Sequence, residues 1–298
     1  MDLVAIVLTL GLLILASGSH AGVCIGLASA VGVLRGARGL AVYTVTLLMG
    51  ALLQGYLMEQ AVVEPSLCSL ATTLGLSVVP SLTGIPLSIN FGLYASQIGC
   101  ALAISRIYVL MHTIACWILM TLLTAVLAIV IAVAVMRMLT SRRRIDLTLK
   151  ISRISILVLA IAYTFAVGAN TFGYIVAILN HLVRDRAVAI LTMVVGIVVG
   201  AIVLSRASVE RIAYRFYGVK YGHALNSLLV STLIVEVSTF MSIPMSASLV
   251  VVTALVATSA IARIRIVDIG NYFKYLVTQF LAIPMALFIG PLMAKILP

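Results

Sequence analysis

Charge is scarce in this sequence. Only 9% of its 298 residues are charged, eight of them acidic against 19 basic. A soluble globular domain carries about a quarter charged residues, so that class is excluded. Nor does the chain show the alternating segments of about 10 residues that build a transmembrane barrel. It lacks an HExxH helix, a Walker A loop and a GxSxG elbow, so nothing points to an enzyme. The four cysteines (Cys24, Cys68, Cys100, Cys116) have no metal-ligand spacing and lie in apolar surroundings. They read as small packing residues, and no metal or other cofactor is expected.

Apolar residues fill the space that charge leaves. They make up 63% of the chain, and the mean hydropathy is +1.27. The runs 107–136, 153–179, 187–205 and 225–262 approach or exceed the ~20 residues a helix needs to cross a bilayer. The expected fold is an all-α integral membrane protein, a polytopic helical bundle with about 10 spanning or re-entrant segments. The first residues, MDLVAIVLTLGLLILASGSHA, lack the basic start of a signal peptide and read as a retained membrane segment. The net charge of +11 sits in short loops and is no nucleic-acid patch. Its densest stretch, 137–153 (RMLTSRRRIDLTLKISR), is placed in the cytoplasm by the positive-inside rule, beside membrane lipid headgroups. Tyr214, Tyr217 and Tyr221, with Arg211, Arg215 and Lys220, read as an interfacial belt.

That basic stretch divides the chain into a first transmembrane repeat, 1–136, a linker, 137–153, and a second repeat, 154–298. The halves share an order of features. ASGSHAGVCIG in one and AVGANTFGYIV in the other are small-residue stretches that read as helix breaks, at 17–22 and 168–173. Each precedes basic residues, Arg35 and Arg38 or Arg184 and Arg186. Farther on come IPLSINF (85–91) and IPMSASL (243–249), where proline and serine interrupt apolar runs. An ordered pair of this kind reads as an internal repeat, and paired helix breaks are the sequence's pointer to a transporter's central site.

The Pro-x-Ser copies predict places where one helix stops and the next begins, with Pro86 and Pro244 in a first helical turn. A helix N-terminus exposes unpaired N–H groups and a partial positive charge, which suit an anion. Ser88, Asn90, Ser246 and Ser248 add donors there and are the candidate anion ligands. The bland alternative is that such Ser, Gly and Pro residues only pack or kink membrane helices.

These stretches resemble the inorganic phosphate transporter (PiT) family, which includes sulfate permeases and carries GxNDxAN and PxSTTH motifs in each of two inverted halves. VGANTFGYIVAIL, the run from Val209 through IPMSASL, and FKYLVTQFLAIPMALFIGPLMAKIL carry the likeness in the second half. GSHAGVCIG, MGALLQG, ATTLGL and IPLSINFGLYASQIG carry it in the first. The resemblance implies a secondary transporter of a small inorganic oxyanion, phosphate before sulfate, working by alternating access in the cytoplasmic membrane with H+ or Na+ coupling. Ser19, His20, Asn170 and Thr171 would then shape the coupling site. His20 and Thr171 stand where the family has its cation-binding Asp, which argues against family-type sodium symport.

His20 and Glu236 are the ionisable groups at apparent membrane depth, and burial makes such groups functional candidates. Their bland alternatives are helix capping for His20 and a hydrogen bond to a neighbouring Ser or Tyr for Glu236. Glu59 and Glu64 flank Pro65 and read as interfacial. His112, His181 and His223 fall near segment ends and are assigned no role. Two other functions fit the eroded motifs: a membrane subunit that no longer transports, and a channel or carrier for another solute. A homo-oligomer is among the assemblies this composition allows.

Overall fold

The computed structural model describes residues 2–83, 88–101, 107–140, 145–215, 219–261 and 269–297. Pro86, Tyr217 and the arginines at 142–144 lie outside these residues, as do the side chains of Arg211, Tyr214 and Arg215.

All regular structure among the described residues is helical. The first half holds α1 (Asp2–Ala30), α2 (Gly36–Leu53), a 3-10 segment (Gly55–Ala61), α3 (Leu67–Thr83), α4 (Ile89–Cys100) and α5 (Ile107–Thr140). The second holds α6 (Ile145–Val167), a π segment (Gly168–Phe172), α7 (Gly173–Val183), α8 (Arg186–Val203), α9 (Ser205–Arg215), α10 (Tyr221–Phe240), α11 (Ala247–Ile261) and α12 (Ile269–Met293). Seven described helices are long and apolar enough to cross a membrane, and the chain is a multi-pass membrane protein. The basic stretch 137–153 is mostly the helical ends of α5 and α6.

Two hairpins position the centre. A disulfide joins Cys68 at the start of α3 to Cys100 at the end of α4, with Cα atoms 6.0 Å apart. Both ends of that hairpin therefore lie on one side, and α5 carries the chain from there to the basic linker. The hairpin of α10 and α11 opens on the linker side, where Arg153 of α6 donates to the Tyr221 hydroxyl at 3.1 Å. Its arms are joined by Asn226, whose Nδ2 donates to Thr258 Oγ1 at 2.7 Å. The hairpins enter from opposite sides, and their tips touch where Asn90 Nδ2 donates to the Met245 carbonyl at 2.6 Å. Each is covered by a helix of the other half, α12 against α4 and α5 against α11.

Cys68 and Cys100 are thus a cross-link, not packing residues. Sequence spacing offers no sign of it, because the pairing depends on the hairpin returning α4 beside α3.

The two predicted breaks near 17–22 and 168–173 are not helix ends. α1 runs unbroken through Ser17, Gly18 and Ser19. Its small residues serve close packing instead. Leu204 fills the space beside Gly18, and the Ser17 hydroxyl donates to the Ile197 carbonyl on α8 at 2.8 Å. At 168–172 the helix widens by one π turn and continues into α7. Glycine recurs where backbones nearly touch: Gly50 of α2 lies against the Phe165 carbonyl of α6, and Gly200 of α8 against the Ile14 carbonyl of α1. A Cβ has no room at either place.

Candidate functional site

The hairpin tips and the π segment build one buried polar cluster. Asn170, in the π turn, is fully buried. Its Oδ1 accepts from the Met245 backbone N–H at 2.9 Å and from Asn90 Nδ2 at 3.4 Å. Its Nδ2 donates to the Ile243 carbonyl at 2.9 Å and to Thr239 Oγ1 at 3.1 Å. Asn90 Nδ2 also donates to Thr171 Oγ1 at 3.0 Å. Asn90 Oδ1 is buried and has no partner. A π turn adds a residue to the helical turn and turns side chains out of register, and such turns recur at functional sites. Here it aims Asn170 at backbone groups of the α10–α11 connector and Thr171 at the Asn90 amide.

The serines stand at the two helix starts. Ser88 caps α4, its Oγ accepting from the Phe91 N–H at 3.2 Å. Ser246 does the same for α11, accepting from the Leu249 N–H at 3.4 Å and donating to Gln279 Oε1 at 2.8 Å. Ser248 Oγ lies 3.3 Å from Ser246 Oγ. The helix starts fall inside the predicted stretches 85–91 and 243–249, but Pro244 is not in the first turn. It precedes the capping serine by two positions in a non-helical connector. A serine side chain satisfies a first-turn N–H, so it takes the cap. The proline carbonyl accepts from Trp117 Nε1 of α5 at 3.0 Å, which pins the connector.

The remaining candidates lie nearby but outside this cluster of bonds. Ser19 is exposed, and its hydroxyl donates to the Ala16 carbonyl at 3.0 Å. His20 caps no helix end. It bonds the Ala16 carbonyl at 2.8 Å, and its ring meets the edge of Phe172, the residue after Thr171, at 5.9 Å. Glu236 accepts from Gln54 Nε2 at 2.5 Å rather than from a Ser or Tyr. It sits one turn before Thr239 on α10, so one helix carries both the carboxylate and a cluster ligand.

Sequence reading missed three amides. Gln54 holds Glu236. Gln97, fully buried on α4, accepts from the Val63 and Glu64 N–H groups at 2.9 and 3.3 Å and donates to Tyr174 at 2.8 Å. Gln279 receives Ser246. The signal was there, since an amide in an apolar helix needs a partner.

No group of three or more His, Cys, Asp or Glu side chains among the described residues could hold a metal ion. The cluster's chemistry is neutral: amide, hydroxyl and backbone dipoles at two helix starts.

Two broken-helix hairpins meeting tip to tip inside a multi-pass bundle define the architectural class. A solved structure titled "The sodium-dependent phosphate transporter" has the same fold. The two agree at a TM-score of 0.86 over 99% of this chain and 98% of that one, with 11% sequence identity. No family model matches the chain, and no curated protein matches it by sequence.

Proposed function

We propose that this protein is a secondary transporter of a small inorganic oxyanion, phosphate before sulfate, working by alternating access about the two hairpin tips. The observation that carries this reading is the meeting of the tips at a buried polar cluster, in a fold shared with a sodium-dependent phosphate transporter. Helix starts and hydroxyls suit an oxyanion, because N–H groups and the helix dipole favour negative charge there. Ser88, Asn90, Ser246 and Ser248 are the ligands. The two halves, 1–136 and 154–298, act as inverted repeats, a reading supported by the paired Gly50–Phe165 and Gly200–Ile14 contacts.

Coupling is the finer part of the proposal. With Thr171 and His20 at the family's Asp positions, the cluster lacks a carboxylate for sodium. Glu236, held by Gln54 one turn from Thr239, is the proton-coupling candidate. Uptake of labelled phosphate into proteoliposomes, under a sodium or a proton gradient, tests both parts. Proton-driven uptake that Glu236→Gln abolishes, with phosphate exchange retained, is the expected outcome. Sodium-driven uptake returns coupling to Asn170 and Thr171 and removes Glu236 from the mechanism.

One observation favours a second reading, a membrane subunit that no longer transports. The cluster's groups are largely spent on one another: Ser88 and Ser246 cap helices, and the Asn90 amide bridges Thr171 and Met245. Absence of uptake together with absence of thermal stabilisation by phosphate or sulfate selects that reading.

A further inference from the structure

Six buried side-chain polar atoms among the described residues lack a hydrogen-bond partner, and four lie on α10 between His223 and Ser231: His223 Nε2, Asn226 Oδ1, Ser227 Oγ and Ser231 Oγ. All four residues are 3% exposed or less. Hydroxyls in apolar helices ordinarily return their proton to the carbonyl one turn back. Three on the same helix do so: Thr232 to Leu228, Ser238 to Ile234 and Thr239 to Val235, at 2.7, 2.8 and 2.8 Å. Ser227 and Ser231 do not, so packing alone does not account for them. A buried polar group without a partner costs free energy, more so at membrane depth.

Their placement is ordered. His223, Ser227, Ser231, Val235 and Thr239 form one i+4 ridge along α10. The ridge starts at the linker-side mouth, where Lys220 precedes the helix and Arg153 bonds Tyr221. It ends at Thr239, which accepts from Asn170 in the central cluster. Val235, fully buried, is the one apolar residue on it.

We propose that this ridge lines the inward path by which a hydrated inorganic oxyanion passes between the cytoplasm and the hairpin tips, with Val235 as its closed gate. The inference rests on the oxyanion-transport reading for the identity of the solute. Its physical content is that the unpaired imidazole and hydroxyl groups of the ridge exchange partners with water and solute when the path opens. The basic mouth and the N-terminus of α10 gather anions at the entrance.

The test introduces Ser227→Cys or Ser231→Cys into a chain with Cys24→Ala and Cys116→Ala, leaving the Cys68–Cys100 disulfide in place. A charged, membrane-impermeant thiosulfonate is applied to inside-out and to right-side-out vesicles. Both cysteines are expected to react from the cytoplasmic face only, and Leu233→Cys, on the exposed side of α10, to stay unmodified. Failure of both to react from that face, or equal reaction of Leu233→Cys, overturns the path. A second variant, Ser227→Ala with Ser231→Ala, is expected to lose uptake while phosphate still stabilises the protein thermally. Unchanged uptake overturns the path as well. Reaction from the cytoplasmic face in a protein that takes up no phosphate keeps the path and rejects the solute, so the two readings fail separately.

Discussion

The two hairpins are tied shut by different chemistry at the same register. In the first, Cys68 and Cys100, 32 residues apart, are joined covalently. In the second, Asn226 and Thr258, also 32 apart, share a hydrogen bond, and the capping serines Ser88 and Ser246 stand equally far beyond Cys68 and Asn226. The difference follows the sides of the bundle. The linker side carries Arg137, Lys150, Arg153 and Lys220 with Asp146, around the mouth where Arg153 donates to Tyr221; the mouth at Cys68 and Cys100 lies on the opposite side. In membrane proteins generally, basic loops favour the cytoplasmic side and disulfides persist on the other. A covalent tie serves the α3–α4 hairpin, and the α10–α11 hairpin, the inner one on the proposed orientation, uses a bond that survives reduction. On the transport reading proposed above, the inner hairpin is the one that opens.

The largest effect expected from breaking this comparison is loss of the staple. Cys68→Ser with Cys100→Ser should cost about 2–4 kcal/mol in detergent unfolding. Thr258→Val in the inner hairpin should cost about 1 kcal/mol. Equal losses would remove the distinction. Asn226→Cys with Thr258→Cys sharpens it: oxidation of the purified protein should form a second disulfide, seen as a gel shift reversed by reductant, and should stop uptake. Continued uptake in the stapled protein would show that the inner hairpin need not open.

Asn170→Ala should cost about 1–3 kcal/mol, because it strands the buried Met245 N–H and frees both tips. Uptake should vanish with it. The smallest effects belong to the caps, where Ser88→Ala and Ser246→Ala should each cost about 1 kcal/mol. Ser246→Ala should be the more severe, since that hydroxyl also reaches Gln279. Unchanged uptake with both serines removed would exclude them as anion ligands.

The membrane-spanning architecture and a helix start within each of 85–91 and 243–249 were legible in the sequence, though the second start falls at Ser246 and not at Pro244. Hydropathy reports the solvent around a helix, and a Pro-x-Ser step in an apolar run leaves few alternatives. Asn170 was singled out by the resemblance of VGANTFGYIVAIL to a family motif and not by its surroundings. The wider turn at Gly168–Phe172 was not legible, because glycine and alanine look alike whether a helix ends, bulges or is crossed closely. At Gly18 the deciding partner is Leu204, far along the chain. The disulfide and the Gln54–Glu236 bond were hidden likewise, since each joins elements that no local pattern brings together.

The exchange of covering helices sets an order of assembly. The first hairpin is synthesised early, yet α12 is the element that packs along α4. Gly99 meets the backbone of Ala286 and Leu287, and Gly290 meets that of Cys100. Until α12 emerges, α4 must wait without its neighbour, with Ser96, Gln97 and the tip amide of Asn90 already in the membrane. The contacts between α4 and α12, distant in sequence, can therefore form only after α12 is made. The disulfide at the hairpin's mouth can close before then, holding α3 and α4 together until α12 covers them.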